Sequence, residues 1–323
     1  MKKMLLAMAA VLAGMSTAAQ EEQGEAAASD EPLNLEQLLA MFNWDFDAVE
    51  ITTEQVGEGL YVLFGAGGNI AVSVGEEGVL IVDDMFPELI PKIEAAIREI
   101  GGDGVDLVVN THWHFDHAEG NLALGPAGTT IAAHVNSAEM MSKENILNMV
   151  ITKYRQPAYP PAARPSIVFD DRKRFDFNGE EIDLVHAGPA HTAGDTAVIF
   201  KDHNAVHFGD VFNNAGYPFI DVDSGGSIDG MIRFCQAILD EVGPNGIIIP
   251  GHGPVTDSAT LQAYIDMLRT VRDRVAAQMA EGNSLMAVVA SGVTGEFDET
   301  YGPVSGSLGF VDRVYTSLQR DAE

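Results

Sequence analysis

The sequence predicts an α/β fold in which sheets are covered by helices, not a purely parallel doubly wound sheet. Three observations lead there. Short β-type runs alternate with amphipathic helical stretches along the chain. Several of the runs are separated only by turn residues, as in hairpins. Of the 323 residues 46% are hydrophobic, and the 33 glycines follow no fixed period. That supplies a large core and excludes a disordered, collagenous or coiled-coil chain.

In chain order, Lys2 and Lys3 precede an uncharged apolar run from Met4 to Met15, and Thr17-Ala18-Ala19 follows. Residues 1–19 are therefore expected to be a secretory signal peptide, too short for a membrane span. Residues 20–48 read as an acidic linker and lead-in, and 49–323 as the folded domain. Gly59–Phe64, Ile70–Val74 and Val79–Val82 are strands, the last two joined by a turn at Glu76-Glu77-Gly78. Pro87–Ile100 is a helix, with Leu89, Ile90, Ile93, Ala96, Ile97 and Ile100 on one stripe. Val105–Asn110 is a strand and Ser137–Val150 a helix. Ile182–Val185, Ala197–Phe200 and Ala205–Phe208 are strands. Helix Ser227–Val242, strand Gly246–Ile249, and helices Ser258–Glu281 and Val311–Arg320 complete the chain. The apolar stretches 285–293 and 304–318 are expected to pack on the domain or on a second subunit.

Charge narrows the partners. Lys+Arg total 18 against 48 Asp+Glu, a formal net charge of −30. Nucleic acid is excluded as a partner, because phosphate backbones are held by Lys and Arg. Anionic membrane surfaces are disfavoured for the same reason; the expected partner is a small-molecule substrate. Cys235 is the only cysteine, so no intrachain disulfide forms; within MIRFCQAIL it reads as a buried apolar residue.

The chemistry lies at strand ends. Strand 105–110 runs into Thr111-His112-Trp113-His114-Phe115-Asp116-His117, which places three of the nine histidines and one aspartate within six residues. Four such side chains exceed the three protein ligands an open catalytic zinc takes, so two metals fit better than one. His191 in HAGPAHTAGDT, Asp210 in HFGDVF and His252 in IIIPGHGP each follow a β-type run and are flanked by glycine. His134, His186 and His207 read as structural or supporting, and His203 as an exposed turn residue. Arg172-Lys173-Arg174 reads as a solvated strand edge, and Arg269, Arg272 and Arg274 as an exposed helix face.

HWHFDH, AHTAGDT, FGD and PGHG, in that order and spacing, resemble the metallo-β-lactamase superfamily, with Asp rather than Cys in the third motif. The resemblance runs from about Val49 to the C-terminus. It implies a four-layer αββα sandwich, two mixed sheets flanked by helices, with a metal pair at one edge. It also implies that His112, His114 and His191 hold one zinc, that Asp116, His117 and His252 hold the other, and that Asp210 bridges. Asp83 or Asp84, after strand 79–82, resembles the family acid that supports the ligand loop. Two zinc ions per chain are the expected cofactor, with iron or manganese as alternatives. Such a pair lowers the pKa of bound water toward ~7 and supplies a hydroxide nucleophile, while Asp116 accepts its proton.

His114 disfavours the iron relatives that reduce oxygen or nitric oxide, which carry Glu there. The expected activity is therefore a periplasmic or secreted dinuclear zinc hydrolase, and the β-lactam amide is the first substrate expected, because export places the enzyme where β-lactams act. Lactone, thioester or phosphoester hydrolysis would use the same ligands; a mononuclear iron sulfur dioxygenase and a non-catalytic metal-binding module rank below these. No Lys or Arg follows Asp210 before Arg233, so a β-lactam carboxylate lacks its usual cation. Asn213, Asn214, Tyr217, Ser224 and Ser227 would either hydrogen-bond substrate or cap their loop. Gly65–Asn69 would be either a flap over the site or a plain hairpin turn.

Overall fold

A computed structural model describes residues 31–302 and 304–322, with side chains omitted at 304 and 305. The expected signal peptide and residues 20–30 of the acidic linker and lead-in lie outside the described residues. Strands β1 (Thr52–Gly57), β2 (Leu60–Phe64), β3 (Ile70–Gly75), β4 (Gly78–Val82), β5 (Leu107–Val109) and β6 (Thr130–His134) build the first sheet. Strands β7 (Asn145–Asn148) and β8 (Lys153–Gln156) form a separate hairpin, and β9 (Ile167–Phe169) returns to the first sheet beside β6. Strands β10 (Arg172–Phe177), β11 (Glu180–Val185), β12 (Ala197–Phe200), β13 (Ala205–His207), β14 (Ile247–Ile249) and β15 (Thr256–Asp257) build the second. Both sheets are mixed: β1 to β4 are antiparallel and β4-β5-β6-β9 parallel, whereas the second sheet is antiparallel except at β13–β14.

The strands are apolar on both faces because both faces are covered. Leu80, Val82, Leu107 and Val109 point to the inter-sheet core with Ile182, Leu184, Val198, Phe200 and Ile249. Their neighbours Val79, Ile81 and Val108 face the other way, onto Ile90, Ile93 and Ile97 of helix α2 (Ile90–Glu99, after α1, Leu35–Phe42). On the second sheet Ile199, Val206 and Ile248 face the long helices. Short helices α3 (Phe115–Ala118), α4 (Asn121–Ala127) and α5 (Val135–Met141) follow in the chain, then α6 (Ile228–Val242), α7 (Ser258–Ala280), α8 (Leu285–Ala290), α9 (Asp298–Tyr301) and α10 (Val304–Asp321). The layer order is α/β/β/α, as expected. No helix among the described residues is long and apolar enough to cross a membrane.

Four local expectations change. The helix expected over 137–150 ends at Met141; Asn145 donates its side-chain N–H to the carbonyls of Met140 and Lys143, and the chain turns into β7. There burial alternates with period two, Leu147 inward and Ile146 outward. Ahead of the boundary placed at residue 49, α1 begins with a capping box between Asn34 and Gln37 and buries Leu38. His203 is half-buried; its Nδ1 lies 2.9 Å from Glu180 and its Nε2 2.9 Å from the Glu58 carbonyl oxygen. Arg272 and Arg274 do not simply face solvent: Arg272 pairs with Asp229 of α6, and Arg274 donates to the Val293 carbonyl. Arg172 and Arg174 do lie on the edge strand β10, where both reach buried Asp183. Cys235 is buried, as expected.

Candidate metal centre

The C-terminal ends of β4, β5, β11, β13 and β14 meet at one edge of the sandwich, and every predicted ligand follows the end of one of these strands, Asp116 and His117 in the short helix α3. All seven come together. His112, His114 and His191 form one triplet of potential ligand atoms, His112, His117 and Asp210 a second, and Asp116, His117 and His252 a third; within each, the atoms lie no more than 4.8 Å apart. Asp210 sits between the groups, with Oδ1 3.1 Å from His117 Nε2 and 3.3 Å from His252 Nε2, and Oδ2 3.8 Å from His191 Nε2.

Each histidine of the first triplet is turned by its other ring nitrogen. His112 Nδ1 lies 3.0 Å from Thr111 Oγ1, His114 Nε2 3.0 Å from Asp221 Oδ2, and His191 Nδ1 2.8 Å from the Phe219 carbonyl oxygen. With those nitrogens donating, His112 Nε2, His114 Nδ1 and His191 Nε2 present lone pairs inward. Two of these, on His114 and His191, are 2.9 Å apart, and His112 Nε2 is buried with no hydrogen-bond partner. Asp210 Oδ1 is likewise buried without an aligned donor. Converging, orphaned acceptors of this kind fit a divalent cation.

Electrostatics divides the cluster. Burial, reinforced by the neighbouring histidines, holds His112 well below its ordinary range, and burial beside His114 takes His191 down to about 4. Burial alone would lower His117 and His252 as well. Asp210, Asp116 and Asp83 outweigh it for His117, and Asp210 and Asp116 raise His252 to about 10. Asp210 and Asp116 are held below the usual carboxylate range, because the charges of His252 and His117 overcome the cost of burial.

The two acids after β4 take different roles. Asp83 accepts from His117 Nδ1 at 2.7 Å, from the Thr111 hydroxyl at 2.8 Å and from the Thr111 amide at 2.7 Å. Its backbone has φ 65°, a left-handed conformation held by the hydrogen bond its N–H donates to the Val109 carbonyl. The Asp84 amide donates to the His117 carbonyl, but its carboxylate oxygens are buried without an aligned donor, and burial plus the adjacent Asp83 pushes the carboxyl well up. Asp83 is therefore the acid that supports the ligand loop.

The Gly65–Asn69 loop is fixed to the site. The Gly68 amide donates to the Asp116 carbonyl, the Asn69 amide to Gly251, and the Asn69 side chain to Pro250 and Gly253. A Cβ on Gly68 would collide with the His117 ring, so this turn touches the centre directly instead of standing off as a flap.

The polar residues expected after Asp210 are mostly spent on the fold. Asn213 accepts from the Ala215 amide, Asn214 donates to the Pro254 carbonyl, Tyr217 donates to Asp298, and Ser227 caps α6 while donating to Asp321. The Ser224 amide closes a turn on Asp221. His207 bridges the Asn69 carbonyl and the Gly209 amide, a supporting role. Thr111, Asp221 and Phe219 were not singled out by sequence; only the polarity of Asp221 and Thr111 hinted at them.

The chain belongs to the metallo-beta-lactamase superfamily, whose family model matches residues 62–274, more than half of its length. It is similar to the alpha subunit of 2,4-dinitroanisole O-demethylase from Nocardioides sp. (strain JS1661), 26% identical over 174 residues that cover 53% of this chain and 49% of that one. The chain thus spans about half the length of this curated relative. Among solved structures, DIM-1 metallo-beta-lactamase aligns with TM-score 0.53 at 20% identity, over 69% of this chain and 99% of that one. The inverting sec-alkylsulfatase Pisa1 from Pseudomonas sp. aligns with TM-score 0.63 at 17% identity, over 83% of this chain and 50% of that one. A metallo-beta-lactamase from Pontibacter korlensis gives 0.54 at 15%, over 68% and 99%. At these identities the structures support the fold, and the His/Asp cluster makes metal dependence plausible on this chain's own residues.

Proposed function

We propose that the protein is a dinuclear zinc hydrolase of small carbonyl substrates, with lactones favoured over the β-lactam amide. The observation that carries this is the set of overlapping ligand triplets sharing His112 and His117. His112, His114 and His191 would hold one ion, and Asp116, His117 and His252 the other, with Asp210 between them. A zinc pair supplies a nucleophilic hydroxide at neutral pH and positive charge for a developing oxyanion. Asp116, 3.3 Å from His252 Nε2 and with its side chain 13% exposed, is placed to take the proton of the attacking water and to return it to the leaving oxygen or nitrogen. Asp83, Thr111 and Asp221 hold the rings in register.

The preference for lactones rests on the lack of a handle for a substrate anion. The loop from Val211 to Ser227 contains no Lys or Arg, Arg233 is exposed on α6, and the two α10 arginines that reach the loop are engaged, Arg313 with Asp223 and Asp312, Arg320 with the Val222 carbonyl and Asp321. The same feature weighs against sulfate esters. In keeping with its N-terminal segment, the enzyme is read as exported and as acting on a soluble small molecule. Zinc-loaded protein should hydrolyse a homoserine lactone faster than nitrocefin; 2,4-dinitroanisole and a secondary alkyl sulfate are the contrasting substrates. Failure to turn over any carbonyl substrate would refute the reading.

A further inference from the structure

Helix α10 is not accounted for by the ligand cluster, and it lies beyond the matched residues 62–274. It packs on the domain: Phe310, Val311 and Val314 are buried in the same apolar cluster as Phe212, Ile220 and Ile228. An apolar stripe would suffice for that docking. Yet α10 also spends two arginines, a serine and an aspartate on one short stretch of chain, Val222 to Ile228. Arg313, 7% exposed, donates to Asp223 at 3.2 Å, and Arg320 donates to the Val222 carbonyl at 2.9 Å. The Ile228 amide donates to the Ser317 hydroxyl at 3.1 Å, and the Ser227 hydroxyl donates to Asp321 at 3.1 Å. The Phe310 ring stacks on that of Tyr217 with centroids 5.5 Å apart.

These contacts reach the loop that follows Asp210. Between Val211 and Ile228 the chain holds no strand and a single 3-10 turn, Val222–Ser224. A loop with so little regular structure of its own is rigid only where other elements hold it. The other side of the same loop touches two candidate ligands. Asp221 Oδ2 lies 3.0 Å from His114 Nε2, the Asp221 amide donates to the His191 carbonyl at 2.9 Å, and the Phe219 carbonyl oxygen lies 2.8 Å from His191 Nδ1. Val222, which Arg320 holds, is the neighbour of Asp221 in the chain, and Asp223, which Arg313 holds, is the next residue. A displacement of this turn therefore moves the partners of both rings at once, and such partners set the aim of a metal-binding histidine.

We propose that α10 is a strut for the first metal: Arg313 and Arg320 are positioning residues that fix the 219–224 turn and, through it, the rings of His114 and His191. The second triplet is held from elsewhere, His117 by Asp83 at 2.7 Å, and should not feel the strut. The inference rests on reading the cluster as a metal pair, but the ring contacts it concerns exist in the metal-free chain. Two measurements therefore test it. Proton NMR of metal-free protein reads the ring N–H groups held by Asp221 and Phe219. Wild type should show both protected from exchange with water, and Arg313→Ala/Arg320→Ala should lose them. Arg274→Ala, which breaks an arginine contact to the Val293 carbonyl away from this turn, should keep them. In zinc-loaded protein, competition with a chelating dye gives two dissociation constants, and His191→Ala identifies the ion of the first triplet. The double alanine variant should bind that ion about tenfold more weakly and the other ion as before. Arg313→Lys/Arg320→Lys, which keeps both charges, should recover part of the loss. Unchanged ring signals and unchanged zinc affinities in the double alanine variant, equal losses in Arg274→Ala, or a wild type without protected ring N–H groups would overturn the strut. Wild type that binds no zinc, with ring N–H groups lost only in the double variant, would keep the strut and sink the metal pair.

Discussion

Two histidine clusters stand at the edges of the same sheets, and only one converges. His134, at the end of β6, stacks on His186 with ring centroids 3.9 Å apart and planes 21° apart. Among the candidate ligands, His112 and His191 meet at 88°, and His114 and His191 at 86°. Stacked rings direct their lone pairs side by side, whereas edge-on rings direct them at a common point. The other ring nitrogens explain the difference. His134 Nδ1 is used to cap α5 through the Asn136 amide, and His186 Nδ1 lies 2.7 Å from the Asp195 carbonyl oxygen. In the ligand cluster the outer nitrogens of His112, His114, His191 and His117 meet Thr111, Asp221, Phe219 and Asp83, which turns their inner nitrogens toward the centre. Orientation, more than the density of histidines, makes the centre.

The contrast can be broken at several points. His112→Ala and Asp210→Ala remove ligands from overlapping triplets, so metal content should fall and hydrolysis should drop to background; retention of both metals and full turnover would make the cluster structural. Gly68→Ala drives a methyl group into the His117 ring. A misplacement of this kind should cost about a hundredfold in kcat/KM, measured beside the melting temperature to separate it from unfolding. Asp83→Asn and Asp221→Asn keep the side-chain volume but weaken the hold on His117 and His114. Each should lower metal affinity about 10- to 100-fold, read by competition with a chelating dye.

His134→Asn should leave metal content unchanged, because Asn preserves the cap on α5. Its effect should show in acid. Burial, with the neighbouring His186, takes His134 down to about 4. The unfolded chain therefore binds a proton that the native state refuses, and stability is lost as pH falls from about 6.5 toward 4. Urea midpoints of His134→Asn across that window should fall less than those of wild type; parallel curves would remove His134 as the cause.

The eight expected strands and the ligands were legible for the same reason, each carrying its signal locally; β1, β6, β9, β15 and the part of β10 beyond Arg174 were not anticipated. Val79–Val82 and Ala197–Phe200 are apolar on both faces, and a His or Asp beside glycine directly after such a run stands out. The hairpin at 145–156 was misread because the apolar residues of 137–150 also satisfy a helical stripe, and the decisive event, Asn145 closing the helix end, is a tertiary detail. Asp221 was missed because its partner His114 lies 107 residues away. Asp83 and Asp84 were inseparable by composition; the left-handed backbone at Asp83 sends one carboxylate to Thr111 and His117, while the other is buried unpaired. Gly65–Asn69 offered no sign that it would bond to the His252 loop across 181 residues.

The most direct test is metal stoichiometry in zinc-reconstituted, dialysed protein by mass spectrometry, with turnover recorded before and after chelation. Two zinc ions per chain, falling with His191→Ala and with His252→Ala and recovered together with activity on adding zinc back, is the result expected of a metal pair held by these seven side chains. Protein that binds no stoichiometric metal, or that keeps full activity once stripped, would contradict it.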